Sequence, residues 1–478
     1  MSTSLRIRKT KVIATLGPAC DDLNVLCAMI EAGMNVARLN FSHGDPAQHE
    51  ARLARLAEAC RRTGRTVATM LDTRGIEVRV TEVKDDLVDL SPGERFVFFP
   101  EGGADDRPGV EITYPGLAGA VAVGDPILID DGSIGLTVVE VDGDAVICEV
   151  EQGGPLRSRK GMNLPHTELQ FGSMGIENEE DLVFAAQHQM DYVAASFVRN
   201  AGDVQALREV LRRNGSDIPI IAKIESRSAV DNLEEIVKAA NGTMVARGDL
   251  GVELPVEEVP AVQKKIIGST VMNGKPVITA TQMLDSMERN PRPTRAEASD
   301  VANAIFDGTS AVMLSGETAV GAYPVEALRT LAALARRAEA SLAEYGHLQN
   351  VNADPGNKVS EAVSQAANTM AGHLNAAAIV TLTESGFTSR MISKYRPPCP
   401  ILAITSSEKV ERRLCMNWGV RPIRYEADGG DDEYKIAFAI ERARELEIVR
   451  PGDVVIVTAG LSHQSGSTDM IRVLTVED

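Results

Sequence analysis

The sequence predicts an α/β protein: a (β/α)8 TIM barrel with an inserted small β-barrel domain and a C-terminal α/β domain. Three observations lead there. Eight short apolar runs recur, each separated from the next by an amphipathic, helix-like stretch. Every run ends in polar or charged residues, and closed parallel barrels carry their chemistry at the C-terminal strand ends. Between the third and fourth runs, and again after the eighth, the texture of the chain changes.

In chain order, the strand candidates begin Val12–Leu16, Met34–Leu39 and Val67–Leu71. After the interruption come Tyr192–Phe197, Ile218–Ile224, Thr243–Ala246, Lys275–Ala280 and Ala311–Leu314. Helix signals lie between them. Asp21 and Asp22 open a helix that stops near Gly33, and Thr294 with Glu297 forms a capping box after Pro293. Tyr323-Pro324 precedes a long Ala/Leu/Arg helix running to about Tyr345. These signals place the barrel in two parts, 1–73 and 173–346.

The interruption, 74–172, is rich in Val, Ile, Asp and Gly, with turns at Ser91-Pro92-Gly93, Asp130-Asp131-Gly132 and Asp142-Gly143-Asp144. Arg95–Phe99, Ile127–Ile129 and Ala145–Val150 read as antiparallel strands of an inserted β-domain. Lids over active sites are often built this way. From 347 to 478, a polar linker at His347–Asn357 leads into a compact α/β domain. Its elements are Lys358–His373, Ala377–Leu382, Arg390–Tyr395, Ile401–Ile404, Asp432–Leu446, Val454–Val457 and Val473–Val476. Its loops at Thr383–Thr388 and Ser462–Thr468 carry Ser, Thr and Gly, the composition of a phosphate loop or of an ordinary polar connection.

Composition excludes several classes. Against 49 Lys and Arg stand 68 Asp and Glu, a formal charge of −19, which argues against a nucleic-acid binder. No apolar run approaches the roughly 20 residues of a membrane helix, and Val12–Leu16 is too brief for a signal-peptide core. The six cysteines are scattered without a CxxC, as expected for reduced thiols in a cytoplasmic protein. No GxxxxGK[ST] or GxGxxG loop occurs, so a bound nucleotide must be held by metal and basic side chains.

The strand ends carry the chemistry. In a strand, positions i and i+2 share a face, so Lys223 and Glu225 project together. Glu225 and Asp249, on successive strand ends, can share Mg²⁺ or Mn²⁺ while water and substrate fill its other positions. A buried ion-pair network with Lys223 and Arg247 is the competing reading. Lys223 can neutralise a phosphate or a developing enolate, or form a Schiff base; nearby carboxylates favour the protonated, electrostatic role. Asn40, Ser42, Asp72 and Thr73 bring hard oxygens that suit a monovalent cation, or serve as helix caps. Arg38, Arg79, Lys160 and Arg247 are candidate phosphate clamps, with Arg79 and Lys160 near the two junctions of the insert. His43 reads as exposed and incidental.

Taken together, these residues resemble the pyruvate kinase family. The resemblance rests on Thr10-Lys11 through Gly17-Pro18-Ala19, Gly33–Gly44, Leu71-Asp72-Thr73 and Lys223-Ile224-Glu225. It continues through Ala246–Glu253, Thr279–Met287, Asn290–Glu297 and Met313–Glu317, and runs from about residue 10 to the C-terminus. It implies phosphoryl transfer from phosphoenolpyruvate to ADP, giving pyruvate and ATP. Glu225 and Asp249 then hold Mg²⁺ or Mn²⁺. Lys223 stabilises the transferring phosphoryl group and the enolate, and Thr281 assists enolate protonation. Gly248 and Asp249 contact the substrate carboxylate, and Arg38 holds phosphate. Asn40, Ser42, Asp72 and Thr73 become K⁺ ligands, and Arg79 and Lys160 (with Asn40) bind nucleotide phosphates. A homotetramer with a phosphosugar or nucleotide effector on the last domain is also implied. The chain departs from the family pattern at Arg74, Ile76 and Glu177-Asn178, while Glu77 matches potassium-dependent members; Glu384 in the Thr383–Thr388 loop departs from a fructose bisphosphate site. Two competing readings are a Mg²⁺-dependent barrel lyase or aldolase and a catalytically inactive phosphometabolite sensor.

Overall fold

A computed structural model describes residues 7–75, 78–130, 132–165, 167, 178–346, 358–426, 431–460 and 468–477. Eight parallel strands close into a barrel in chain order: Lys11–Thr15, Val36–Asn40, Ala68–Asp72, Tyr192–Ala195, Ile220–Ile224, Gly242–Ala246, Val277–Ala280 and Ala311–Leu314. The last strand pairs with the first, Lys11 opposite Ala311. All eight expected strands are present, with ends moved by one or two residues. Their near-continuous apolar runs follow from burial on both faces, inward against the barrel core and outward against helices. Ile13, Met70, Ile221, Met244, Ile278 and Met313 fill the interior.

The helix signals hold. Asp22 caps Leu23–Ala32 by accepting from the backbone N–H groups of Asn24 and Val25, and the helix ends at Gly33. Thr294 and Glu297 form the reciprocal capping box of Arg295–Phe306. The expected single helix to Tyr345 is instead Pro324–Glu339 followed by a separate turn, Leu342–Tyr345.

Between the third and fourth barrel strands lies a seven-stranded sheet. Its outer strands, Val78–Arg79 and Gly109–Ile112, meet through a bridge between Val80 and Ile112. Bonds from Thr81 N to Glu111 O and from Thr113 N to Arg79 O, both 2.9 Å, help curl the sheet shut. One expectation fails here. Arg95–Pro100 pairs with Gly109–Ile112 in parallel, so the insert is not wholly antiparallel.

The C-terminal sheet runs Val420–Arg424, Ile401–Thr405, Ala378–Leu382, Val454–Ala459, Met470–Thr475, the first four parallel and the last antiparallel. This domain packs on the N-terminal end of the barrel. Tyr192 donates its hydroxyl to the Arg413 carbonyl, and Arg412 pairs with Asp191 at 2.9 Å. The barrel's opposite end is left as its mouth. The expected linker at 347–357 and most of the Ser462–Thr468 loop lie outside the described residues. No helix among the described residues is long and apolar enough to cross a membrane.

Candidate active site

Strand register assembles the site. Asn40 lies opposite Asp72, Asp72 opposite Ala194, and Ala195 opposite Ala222, so the ends of strands two to five open at one level. Lys223 follows Ile221, whose side chain fills the barrel interior, and therefore points inward at the mouth. Its ammonium lies 2.8 Å from Glu225 Oε1 and 3.2 Å from Asp72 Oδ1, and donates to Ser196 Oγ at 2.8 Å. Asp72 in turn accepts from Arg38 Nε at 2.6 Å, and Arg38 donates to Thr15 Oγ1 at 3.0 Å. Both carboxylates are almost fully enclosed.

The charge states follow from this geometry. Burial alone would lower the Lys223 pKa, but the carboxylates of Asp72, Glu225 and Asp249 raise it, so the ammonium stays charged. Burial likewise works against the Asp72 carboxylate, yet Arg38 and Lys223 hold it below the ordinary carboxylate range. Glu225 goes the other way. Burial, reinforced by Asp249 and opposed by Lys223 and the Phe197 N–H, pushes it up to about 7. Two carboxylates that repel at a buried position make a place for a divalent cation.

The turns hold unusual backbone. Gly75 (φ 69°) runs so close to the end of strand four that a Cβ there would lie 2.7 Å from Ser196 Cβ and 2.6 Å from the Phe197 ring. Thr281 and Gln282 are both left-handed, at φ 71° and 55°, a strained conformation for a β-branched residue. Arg247 answers that strain. Its guanidinium donates to the carbonyls of Ala280, Thr281 and Gln282 and is held by Asp300 at 2.6 and 2.8 Å. Gly248 sits directly against Thr281, where a Cβ would come within 2.9 Å of Thr281 Cγ2.

Arg38, Asp72, Thr73, Lys223 and Glu225 are thus brought into one network. Asp249 stands in the first turn of Arg247–Glu253 and acts on both Lys223 and Glu225. Thr73 Oγ1 accepts from Ser196 N at 3.2 Å. Asn40 Oδ1 accepts from Ser42 N at 3.2 Å in a local turn, and neither residue is a helix cap, since the following helix Pro46–Thr63 is capped by Asp45. Arg79 lies on an outer strand of the insert, and Lys160 just precedes the neighbouring strand, whose Gly161 stands opposite Arg79. Arg79 donates to Arg159 O at 2.9 Å, and Lys160 pairs with Asp130 at 2.8 Å. Three contributors escaped the sequence reading as working parts: Ser196 as the hub beneath Lys223, Thr15 behind Arg38, and Arg247 as brace rather than phosphate clamp. Each is a polar strand-end residue, and only position could have marked them.

Comparison with known proteins settles the family. A model described as pyruvate kinase, barrel domain, matches residues 7–328, and one described as pyruvate kinase, alpha/beta domain, matches 361–474. A protein named pyruvate kinase from Geobacillus stearothermophilus is 47% identical over 475 residues, covering 98% of this chain and 81% of the relative. Another of that name from Clostridium acetobutylicum is 45% identical over 474 residues, 98% of this chain and 100% of the relative. The chain belongs to the pyruvate kinase family. It is a phosphotransferase by that membership.

Within the family frame, Arg74 acquires a structural job. It grips Asp181 through its backbone N–H at 2.9 Å and its guanidinium at 2.6 and 3.0 Å, tying the two roots of the insert together. Ile76, Glu77 and Glu177 lie outside the described residues. A divalent ion fits the pair Glu225 and Asp249 by donor chemistry, two hard carboxylates in mutual repulsion. Among the described residues no group of three or more His, Cys, Asp or Glu side chains could hold a metal, so water and substrate would complete its shell.

Proposed function

We propose that this chain transfers the phosphoryl group of phosphoenolpyruvate to ADP, giving pyruvate and ATP. The observation that carries the reading is the enclosed Asp72–Lys223–Glu225 network, which keeps one ammonium charged and aimed into the barrel mouth. Phosphoryl transfer is governed by positioning and charge neutralisation, and that is what this network supplies. Lys223 meets the transferring phosphoryl group and then the enolate oxygen left behind. Arg38 holds phosphate from the second barrel strand. Gly248 and Asp249 receive the substrate carboxylate, and Thr281, fixed by Arg247, lies on the route by which the enolate gains its proton. Glu225 and Asp249 would hold Mg²⁺ or Mn²⁺, which when bound neutralises phosphate charge.

Asn40, Ser42, Asp72 and Thr73 would hold K⁺. Asp72 contributes the single carboxylate and the others neutral oxygens, a set suited to a weakly charged ion. Arg79, Lys160 and Asn40 would bind the nucleotide phosphates, the first two carried by the insert (74–172) as it closes. The same reading includes a cytoplasmic homotetramer and a phosphosugar or nucleotide effector bound to the last domain (347–478). Support for these comes from the resemblance.

A coupled assay tests the reading. Phosphoenolpyruvate, ADP, Mg²⁺ and K⁺ together are expected to yield ATP and pyruvate. Dropping K⁺ is expected to depress turnover sharply. Failure to form ATP with phosphosugar and nucleotide effectors present would sink the reading, and undiminished turnover without K⁺ would remove the potassium site.

A further inference from the structure

Arg247 opens the turn that also carries Gly248 and Asp249, at the end of barrel strand six. Each of its three guanidinium nitrogens is committed to protein. Nε donates to the carbonyls of Ala280 and Thr281, both at 3.1 Å. Nη2 donates to Thr281 O at 2.6 Å and Gln282 O at 3.2 Å. Nη1 is held by both oxygens of Asp300, on the helix Arg295–Phe306. The fork thus spans three successive carbonyls, which the single nitrogen of a lysine could not match.

Those carbonyls belong to and flank two consecutive left-handed residues, Thr281 at φ 71° and Gln282 at φ 55°. Such backbone is costly for a β-branched residue and persists only where its surroundings over-determine it. Further along, the loop is anchored by acceptors instead. Glu317 receives the Leu284 N–H at 3.0 Å, and Glu297 the Ser286 N–H at 2.7 Å. A Cβ on Gly248 would lie 2.9 Å from Thr281 Cγ2 but 3.9 Å from its Oγ1, so the methyl faces the glycine. The Thr281 hydroxyl has no partner among the described residues. Backbone and methyl are fixed, and the hydroxyl is left for chemistry.

We propose that the Arg247–Asp300 pair positions Thr281 for enolate protonation and takes no part in phosphoryl transfer. This rests on the phosphoryl-transfer reading and assigns a control to its second half. In the first half, the bond from phosphorus to the enol oxygen breaks and the phosphoryl group passes to ADP. In the second, the enolate oxygen becomes a carbonyl while the C2–C3 double-bond pair takes a proton at C3. That proton comes from solvent by way of Thr281. Phosphoryl transfer draws on Lys223 and Arg38, on strands five and two, whose hydrogen bonds go to Ser196, Asp72 and Thr15 rather than to Arg247. Protonation needs the Thr281 hydroxyl on one face of C3, and a turn released from Arg247 relaxes out of its left-handed geometry.

Two measurements on the full chain separate the halves. In D2O with pyruvate, ATP, Mg²⁺ and K⁺, loss of the pyruvate methyl proton signal reports the C3 proton alone, because deprotonation precedes transfer in that direction. Rapid-quench single turnovers with phosphoenolpyruvate and ADP report ATP formation. Arg247→Met is expected to slow methyl exchange by about 10²-fold, the scale of a misplaced acid–base group, while single-turnover ATP formation stays close to wild type. Arg247→Lys, which keeps the charge and fewer carbonyl contacts, should recover part of the exchange. Asp300→Asn keeps an acceptor for Nη1 and should slow exchange by a smaller factor; it decides the matter if the methionine variant does not fold. Exchange and ATP formation falling by the same factor would overturn the proposal, since Arg247 would then merely hold the site together. Normal exchange in the variants of an active wild type would overturn it alone. A wild type that forms no ATP would overturn the phosphoryl-transfer reading and this proposal together.

Discussion

Asp72 and Asp191 sit at opposite ends of neighbouring barrel strands, each with a side chain 1% exposed, yet their carboxyls move in opposite directions. Both suffer desolvation. Asp72 at the mouth faces two cations, Arg38 and Lys223, and is held below the ordinary range. Asp191 at the seam faces Arg412 and the backbone N–H and hydroxyl of Thr69, and burial prevails to raise it. Equal burial therefore says nothing about charge; the number of facing cations decides. Their pH signatures are opposite as well. Asp72 contributes stability above the ordinary carboxylate pKa that is lost as pH falls below it. Asp191 holds its proton more tightly when folded, so its contribution is lost as pH rises from the ordinary value through the raised one.

Removing one cation from each end gives the largest contrasts. Lys223→Met is expected to cut turnover by about 10²–10³-fold, the scale of losing one preorganised charge at a reacting oxygen. The fold should survive, because Asp72 keeps Arg38 at 2.6 Å. Near-normal kcat in the coupled assay would refute the role given to Lys223. Arg412→Met at the seam is expected to cost about 1–3 kcal/mol in urea unfolding by leaving a buried carboxylate with Thr69 alone. The Asp191 carboxyl should then rise further, so the variant loses stability more steeply than wild type as pH increases from 4 to 7. Parallel pH profiles for the two proteins would contradict this account.

The same contrast explains what the sequence disclosed. Barrel strands announce themselves because both faces are buried, so Ile220-Ile221-Ala222 can hardly be anything else. Lys223 and Glu225 were legible as a pair because strand periodicity is two. In the C-terminal domain, the edge strand Val420–Arg424 was missed: Arg421, Pro422 and Arg424 break its apolar pattern, and an edge position tolerates proline. The helix Glu408–Leu414 before it is mostly charged and carries the seam's ion pairs, leaving only Leu414 and Val410 to face the core. The parallel pairing in the insert depends on a crossover that local pattern does not encode. Ser196 could be read from sequence only as one of the polar strand ends, because a lone serine after an alanine pair gives no hint that four polar groups converge on it.

Ser196→Ala sharpens the mouth side of the comparison without touching a charge. The hydroxyl accepts from Lys223 at 2.8 Å and donates toward Thr73 O at 2.8 Å and Asp72 Oδ1 at 3.3 Å. Losing it should cost about 1 kcal/mol of transition-state stabilisation, or roughly fivefold in kcat, with KM for phosphoenolpyruvate nearly constant. Ser196→Thr, which keeps a hydroxyl, should recover part of the loss. A change confined to stability would mean that Ser196 merely packs.

The smallest effect belongs to the outer rim of the seam. Asp217 pairs with Lys409 and with Arg413 at 2.9 Å, but its side chain is 68% exposed and that of Lys409 50%. Slight burial works to raise the Asp217 carboxyl, yet the hydrogen bonds and charges of Lys409 and Arg413 prevail and hold it at about 2. Its stabilising contribution is thus present above the ordinary carboxylate value and lost as pH falls toward 2. Water and salt screen such a pair, so Lys409→Ala should cost no more than about 0.5 kcal/mol at neutral pH and less still in 1 M salt. The Asp217 carboxyl should move back toward its ordinary value, which nuclear magnetic resonance titration would detect even where unfolding does not. A loss as large as that of Arg412→Met would break the distinction between enclosed and exposed pairs on which the comparison rests.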